Sequence, residues 1–387
     1  MGRDSSRSFL LALFVSVFAL MMLAPGLLKA QAVGYMQVNL VSSGYVPAKV
    51  TDPNLVNPWG IANGPTTPLW IANQATSTST LYSINNAMKG VGSPFVVHVP
   101  TTGSGMQGPT GIVYNPAQSI NDFRIPAPNG MVPAFYIFDD LNGTISGWSK
   151  GSTGGLTQTV VVVDTPGAMY KGLALGQMGK AWTLYAADAT PMGGIKVFNS
   201  NFEELRLGSK AFMDPDLPSL PSDAGAVWTT FNVENMGGNI FVMYAPIPVT
   251  GGHPILTSDA GVVAEFTPEG KFMRNVIVSP WGTADRLDDP WALVMAPANF
   301  GMFSNDLLVG NFGSGEILAY KPTSTGMFTF EGVMDGTNGE PIMDGRLWDL
   351  TFGNGADGAN PDTLYLATGG PNPMMDGLFA AITPAIP

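Results

Sequence analysis

Residues 57–63 read NPWGIAN, and the same short pattern opens five further segments of the chain. Each opening is followed by a second apolar run and then a third, with glycine, proline, asparagine or aspartate between them. NPWGIAN is followed by LWIAN (69–73) and TLYSI (80–84). The later openings are GPTGIVYN (108–115), YKGLALG (170–176), TFNVENMGGN (230–239), DPWALVMAP (289–297) and LWDLTFGNG (347–355). With Trp59, Thr110, Lys171, Phe231, Trp291 and Trp348 as equivalent points, the spacings are 51, 61, 60, 60 and 57 residues. Short strands and turn residues repeated at that period are the sequence form of a propeller blade, a small antiparallel sheet. One blade cannot bury both of its faces, whereas six arranged around an axis can. Beyond the N-terminus no window holds a sustained helical i, i+3, i+4, i+7 pattern. The fold class is therefore all-β, a six-bladed β-propeller formed by residues 33–387 as a single domain.

Closing such a ring needs a strand from the other end of the chain. Only 39 residues follow Trp348, too few for a complete blade. Tyr35–Ser42 (YMQVNLVS) alternates apolar with polar residues and belongs to no repeat, so it is expected to supply the outer strand of the last blade. Residues 1–32 read as a signal peptide. Arg3 and Arg7 precede an apolar run from Phe9 to Leu23, Ala24-Pro25-Gly26 breaks it, and Ala30-Gln31-Ala32 has the small–x–small form that signal peptidase cuts. The run is shorter than the ~20 residues a membrane span requires. The expectation is an extracytoplasmic protein, secreted or periplasmic, with no stable membrane anchor once residues 1–32 are removed.

Of 387 residues 45% are hydrophobic and only 12% charged, about half the usual charged fraction. The 48 glycines and 32 prolines follow no collagen period and account for many turns. With 17 lysines and arginines against 29 acidic residues, the chain has no electrostatic footprint for nucleic acid. The absence of cysteine excludes disulfides, thiolate zinc sites, iron–sulfur clusters and a thiol nucleophile. His98, in the apolar run PFVVHVP, and His253, in the loop GGHP, are the only imidazoles, which excludes sites built from several histidines. A G-x-S-x-G nucleophile elbow and a phosphate-binding loop are both missing, so no catalytic residue is identified.

The three-run pattern resembles NHL-type and related six-bladed propellers. NLVS (39–42), TDPNLVNPWGIA (51–62), NGTISGW (142–148), YKGLAL (170–175), LLVGNFGSGEI (307–317) and LWDLTFGNG together resemble an uncharacterised family of exported bacterial propeller proteins. Some of its members carry a C-terminal PEP-CTERM sorting tail. The resemblance implies the fold and export, and implies no activity. Ala385-Ile386-Pro387 follows no apolar helix, so a sorting anchor is not among its implications.

In a propeller the side chains near the start of each innermost strand converge on the axis. Aligning the six openings places Asn57, Lys171, Asn232, Asp289 and Asp349 at or beside those positions. Gly60, Gly111, Gly172 and Ala292 occupy the slot that Asn232 and Asp349 fill in the other two blades. Three arrangements suit this set. Lys171 can pair with Asp289 or Asp349; Asn232, Asp289 and Asp349 can supply oxygen ligands to a Ca²⁺ ion; or the cluster can line a ligand site. Lys171, Asn232, Asp289 and Asp349 are expected to share one mouth of the channel. Trp59, Trp291 and Trp348 read first as core aromatics. The leading functional expectation is a monomeric binding or scaffold module for a small molecule, glycan, peptide or partner protein. The alternative is a calcium-dependent hydrolase or lyase of the six-bladed lactonase-like class, by analogy of fold.

Overall fold

The computed structural model describes residues 34–85, 90–91, 95–283 and 286–385; the expected signal peptide lies outside them. Six antiparallel sheets follow one another along the chain. Their innermost strands are Pro58–Ala62, Pro109–Tyr114, Tyr170–Met178, Ala226–Met236, Pro290–Met295 and Leu347–Phe352. Each packs against the next, and the sixth returns to the first. This is a six-bladed β-propeller, with the blade order of the repeats. Among the described residues the only helical segments are two short 3-10 turns, Pro116–Ile120 and Gly301–Phe303.

The composition follows from this architecture. A blade has a neighbour on each side, so both faces of its sheet are covered. Leu69 and Ile71 of the first blade pack with Tyr365, Ala367 and Phe379 of the sixth. Ile137 and Ile145 of the second pack with Leu184 and Ala186 of the third. Strands covered on both sides read as near-continuous apolar runs, which leaves little room for charge. Tight turns absorb the glycines. The hairpin between Met236 and Asn239 has two connecting residues, Gly237 (φ 61°) and Gly238 (φ 91°). Two left-handed residues in succession are what the hairpin turn matching strand twist demands.

The third blade has three strands, Tyr170–Met178, Ala181–Asp188 and Gly194–Asn199. The long connection that follows takes the place of a fourth, its Leu205, Leu207, Phe212 and Leu217 packing into the core between the third and fourth blades.

Tyr35–Ser42 closes the ring as expected. It pairs antiparallel with Leu378–Pro384, from Tyr35 opposite Pro384 to Ser42 opposite Leu378. Its first residue also reaches the fifth blade. The Tyr35 hydroxyl donates to the Phe300 carbonyl (2.9 Å) and accepts the Phe303 amide (3.1 Å). The Tyr35 ring stacks on Phe303 at 5.6 Å.

Candidate functional site

Every innermost strand carries one extra residue at the same point of the repeat. In the fourth blade Thr230 lies opposite Tyr244 and Asn232 opposite Met243, leaving Phe231 unpaired. Trp291 and Trp348 are left out in the same way in the fifth and sixth blades. In the first three blades the slip falls across Trp59-Gly60, Thr110-Gly111 and Lys171-Gly172. A bulge turns a side chain out of the sheet's alternation. Here the bulges fall on the six equivalent points of the repeat and turn the large side chains there toward the axis.

The result is an aromatic plug. Trp59 stacks on Trp348 (centroids 3.3 Å apart, 17° between planes). Trp291 stands edge-on to both, at 6.3 and 6.0 Å, and Phe231 lies 6.0 Å from Trp348. All four are buried. The Trp291 indole N–H crosses from the fifth blade to the carbonyl of Lys171 in the third (2.9 Å), a contact between blades that are not neighbours. The tryptophans are core, as the sequence implied, and their core is the axis itself. The axis is therefore plugged and is no through-channel.

The glycine slots explain how closely the strands approach. A Cβ on Gly172 would lie 1.7 Å from Oδ1 of Asn232, and one on Gly111 would lie 2.6 Å from the amide nitrogen of Leu173. Where the slot is polar, the side chain ties neighbouring strands together. Asn232 donates to the Trp291 carbonyl (2.8 Å) and accepts the Val233 amide (2.8 Å). Asp349 accepts the Ile61 amide of the first blade (2.6 Å) and the Leu350 amide (2.7 Å).

The plug divides the five residues singled out in the sequence. Asn57, Lys171 and Asp289 lie on the side where the strands begin; Asn232 and Asp349 line a cavity on the side where they end. The expectation that Lys171, Asn232, Asp289 and Asp349 share one mouth is thus corrected. The residue order predicted who approaches the axis, but the bulged aromatics separate the two groups in depth. A calcium site built from Asn232, Asp289 and Asp349 does not fit either. Asp289 is on the wrong side of the plug, and the Asn232 oxygen already takes a backbone amide.

On the strand-start side, Asn57 (φ 46°), Gly108 (φ 102°), Asp289 (φ 52°) and Arg346 (φ 58°) occupy one repeat position, two residues before the bulge. Asparagine, aspartate and glycine enter this left-handed conformation most readily. Asn57 accepts the Trp348 indole N–H (2.9 Å). Lys171 is buried, with its ammonium 5.3 Å from the Phe231 ring centre and donating to the Gly252 carbonyl (3.0 Å). Burial pushes its pKa down to about 7, opposed by the charge of Asp289. Asp289 is fully buried and neither carboxyl oxygen has a hydrogen-bond partner. Burial, then the neighbouring Asp288, hold it well above the usual carboxylate range. Among the described residues the ion pairs in contact are Arg274–Glu265 and Lys321–Glu331. Lys171 therefore contacts neither Asp289 nor Asp349 as an ion pair.

The cavity on the other side has a volume of about 530 Å³. Asn63, Tyr114, Trp182, Glu234, Asn235, Asp349 and Thr351 are among its walls. Glu234 is the residue the sequence left unread. It lies two positions beyond Asn232 on the same strand, so strand alternation places both on one side. That alternation is the signal in the sequence that marks it. Its carboxyl is pushed well up by burial and then by the charge of Asp349, which burial likewise raises. A second ionised carboxyl beside Asp349 is costly, so Glu234 keeps its proton to higher pH than a free glutamate.

No family model matches the chain. It is 30% identical over 293 residues to uncharacterized protein R648 of Acanthamoeba polyphaga mimivirus, a match covering 75% of this chain and 68% of the viral one. The chain belongs to the same family as this mimivirus protein. A second mimivirus protein, uncharacterized protein L690, is 28% identical over 294 residues, covering 74% of this chain and 72% of that one. Both relatives are viral and neither carries a described activity, so the resemblance to exported bacterial propellers rests on its motifs. Among solved structures, a Bacteroides thetaiotaomicron protein of unknown function is similar with a TM-score of 0.50 and 12% identity, over 90% of this chain and 76% of that one. A luciferin-regenerating enzyme is similar with a TM-score of 0.50 and 11% identity, over 90% of this chain and 95% of that one. At such identities the likeness is one of fold.

The raised carboxyls have a consequence for stability. Burial lifts Asp139 and Asp288 to about 7, and Glu234 and Asp349 also lie above the ordinary range. The folded chain then binds more protons than the unfolded one between roughly pH 4 and 7, so stability falls as pH rises through that window. Lys171 works the other way above pH 7, where the unfolded chain holds the extra proton. The expected melting temperature is highest near pH 4–5 and several degrees lower at pH 7. Glu234→Gln keeps the shape, removes a group that the folded chain holds protonated against its ordinary tendency, and should raise the melting temperature at pH 7 while flattening the profile. A melting series in which wild type and variant run parallel at every pH would show that the two carboxyls do not interact.

Proposed function

We propose that this protein is an exported ligand-binding propeller that takes up a small, non-anionic molecule in the axial cavity. The cavity carries this reading. It lies within the range of volumes that small-molecule sites occupy, the plug forms its floor, and several blades present polar groups to it. Asn63 comes from the segment after the first inner strand, Tyr114 from the second blade, Glu234 and Asn235 from the fourth, and Asp349 and Thr351 from the sixth. No lysine, arginine or histidine lines it among the described residues, so a phosphate or carboxylate would find no counter-charge. Export is supported by the basic start, apolar run and small–x–small site of residues 1–32. A calcium-dependent hydrolase gains no support from the donors: among the described residues no three His, Cys, Asp or Glu side chains gather where they could hold a metal ion.

Both parts are tested on one preparation. Exported material should begin at Gln31 or Val33 by intact mass; retention of Met1 would defeat export. A thermal-shift screen of polar metabolites is then run beside Thr351→Trp, which fills the cavity from its wall. Ligands of the site should raise the melting temperature of wild type by several degrees through mass action and leave the variant unmoved. A screen without hits, or with hits acting equally on both proteins, would overturn the axial site.

A further inference from the structure

We propose that the molecule taken up in the axial cavity is an organic cation, an ammonium or amidinium group on a carbon skeleton, seated between Glu234 and Asp349. This rests on the cavity being the ligand site. The two carboxyls come from the fourth and sixth blades and stand where two lobes of the cavity meet. One lobe is walled by Tyr114 and Trp182 among others. The second, of about 410 Å³, is walled by Met236, Leu293, Val294 and Met295. Glu234, Asn235, Asp349 and Thr351 border both. An aromatic wall on one side and an apolar wall on the other suit a carbon skeleton; the charge between them calls for a cation.

Among the described lining residues no lysine, arginine or histidine faces this pair. The first, third and fifth blades bring only uncharged side chains to either lobe, and the second adds Tyr114 as the one further titratable group among the described lining residues. Asp349 is fixed in place, each oxygen taking one backbone N–H. Glu234 is half-buried on the cavity wall, and its carboxyl is raised by burial and then by the charge of Asp349. A bound cation supplies what is missing, since an opposite charge at contact distance favours the ionised form. A bare metal ion suits the place poorly, because hard cations gather six or more oxygens and Asn232 is already committed to backbone groups. Where Glu234 is protonated, seating the cation releases that proton to solvent. Affinity should therefore rise about tenfold per pH unit until both carboxyls are ionised.

The test is calorimetric titration of the mature protein between pH 5 and 7.5 with benzylammonium and phenethylammonium, beside benzyl alcohol, phenethyl alcohol and benzoate. The ammonium ions should bind at least tenfold more tightly than the matched alcohols, benzoate should not bind, and proton release should make the heat depend on the buffer. Glu234→Gln should retain or raise the melting temperature and lose at least tenfold in ammonium affinity, leaving only the pH slope of Asp349. Alcohols binding as well as amines, no ammonium binding, or an unaffected Glu234→Gln protein would overturn the cation. Neutral compounds that bind wild type but not Thr351→Trp, while ammonium ions fail, would overturn the ligand class and leave the cavity standing. Ammonium binding that survives Thr351→Trp would overturn the cavity as their site.

Discussion

Trp348→Ala is expected to destabilise the protein by about 3–5 kcal/mol, the range for truncating a large buried aromatic. Trp348 is 1% exposed and sits at the centre of the plug. It stacks on Trp59, lies 4.2 Å from Phe312, and gives its indole N–H to Asn57. Removing it opens a cavity among side chains anchored on four blades, which cannot all relax inward together. It also leaves the Asn57 oxygen without its donor, an added cost for a buried acceptor. The melting temperature should fall by on the order of 10 °C. Trp348→Phe should recover part of the loss through ring packing without restoring the hydrogen bond. Trp182→Ala, at the partly exposed wall of the cavity, should cost distinctly less. If Trp348→Ala melts within a degree of wild type, the plug does not hold the blades together.

Deleting residues 34–43 is expected to abolish cooperative melting or drive the chain into aggregates. The deletion uncovers the whole edge of Leu378–Pro384, paired from Ser42 to Tyr35 in the intact chain. A bare edge of this kind recruits other chains. It also removes the link to the fifth blade made by the Tyr35 hydroxyl and ring and by the Tyr35 amide donating to the Asp335 carbonyl (2.9 Å). Tyr35→Ala separates the two roles, keeping the strand and its amide bond while losing the hydroxyl and ring contacts, and should cost about 3–5 kcal/mol with cooperativity intact. A synthetic peptide of residues 34–44, added in trans, should restore a cooperative transition to the truncated chain by strand addition. A truncated chain that stays monomeric with an unchanged melting temperature would show that the ring closes without this strand.

These two results probe features that were legible to different degrees. The closing strand was readable because it stands alone: Tyr35–Ser42 alternates and the last repeat is short by one strand. The plug positions were readable as a list, since Trp59, Trp291 and Trp348 recur at one point of the repeat. That they meet one another across the axis was not. A bulge adds a single residue to one strand, and a one-residue slip reverses the side on which a side chain emerges. No local pattern distinguishes Phe231, which turns inward, from the regular strand residues around it.

The sequence by itself determined the number of blades, their order, the closing strand and the positions that approach the axis. Each repeat carries its own apolar runs and turn residues, and these are local signals that need no neighbour to be read. Only the tertiary structure decided depth along the axis. It placed Asn57, Lys171 and Asp289 on one side of the plug and Asn232 and Asp349 on the other. It also brought Glu234 of one blade close enough to Asp349 of another for the charge of Asp349 to raise the proton affinity of Glu234. The two residues are 115 positions apart in the chain. Their encounter depends on how far each inner strand is shifted and tilted by its bulge, a quantity set by packing among all six blades and written in none of them separately.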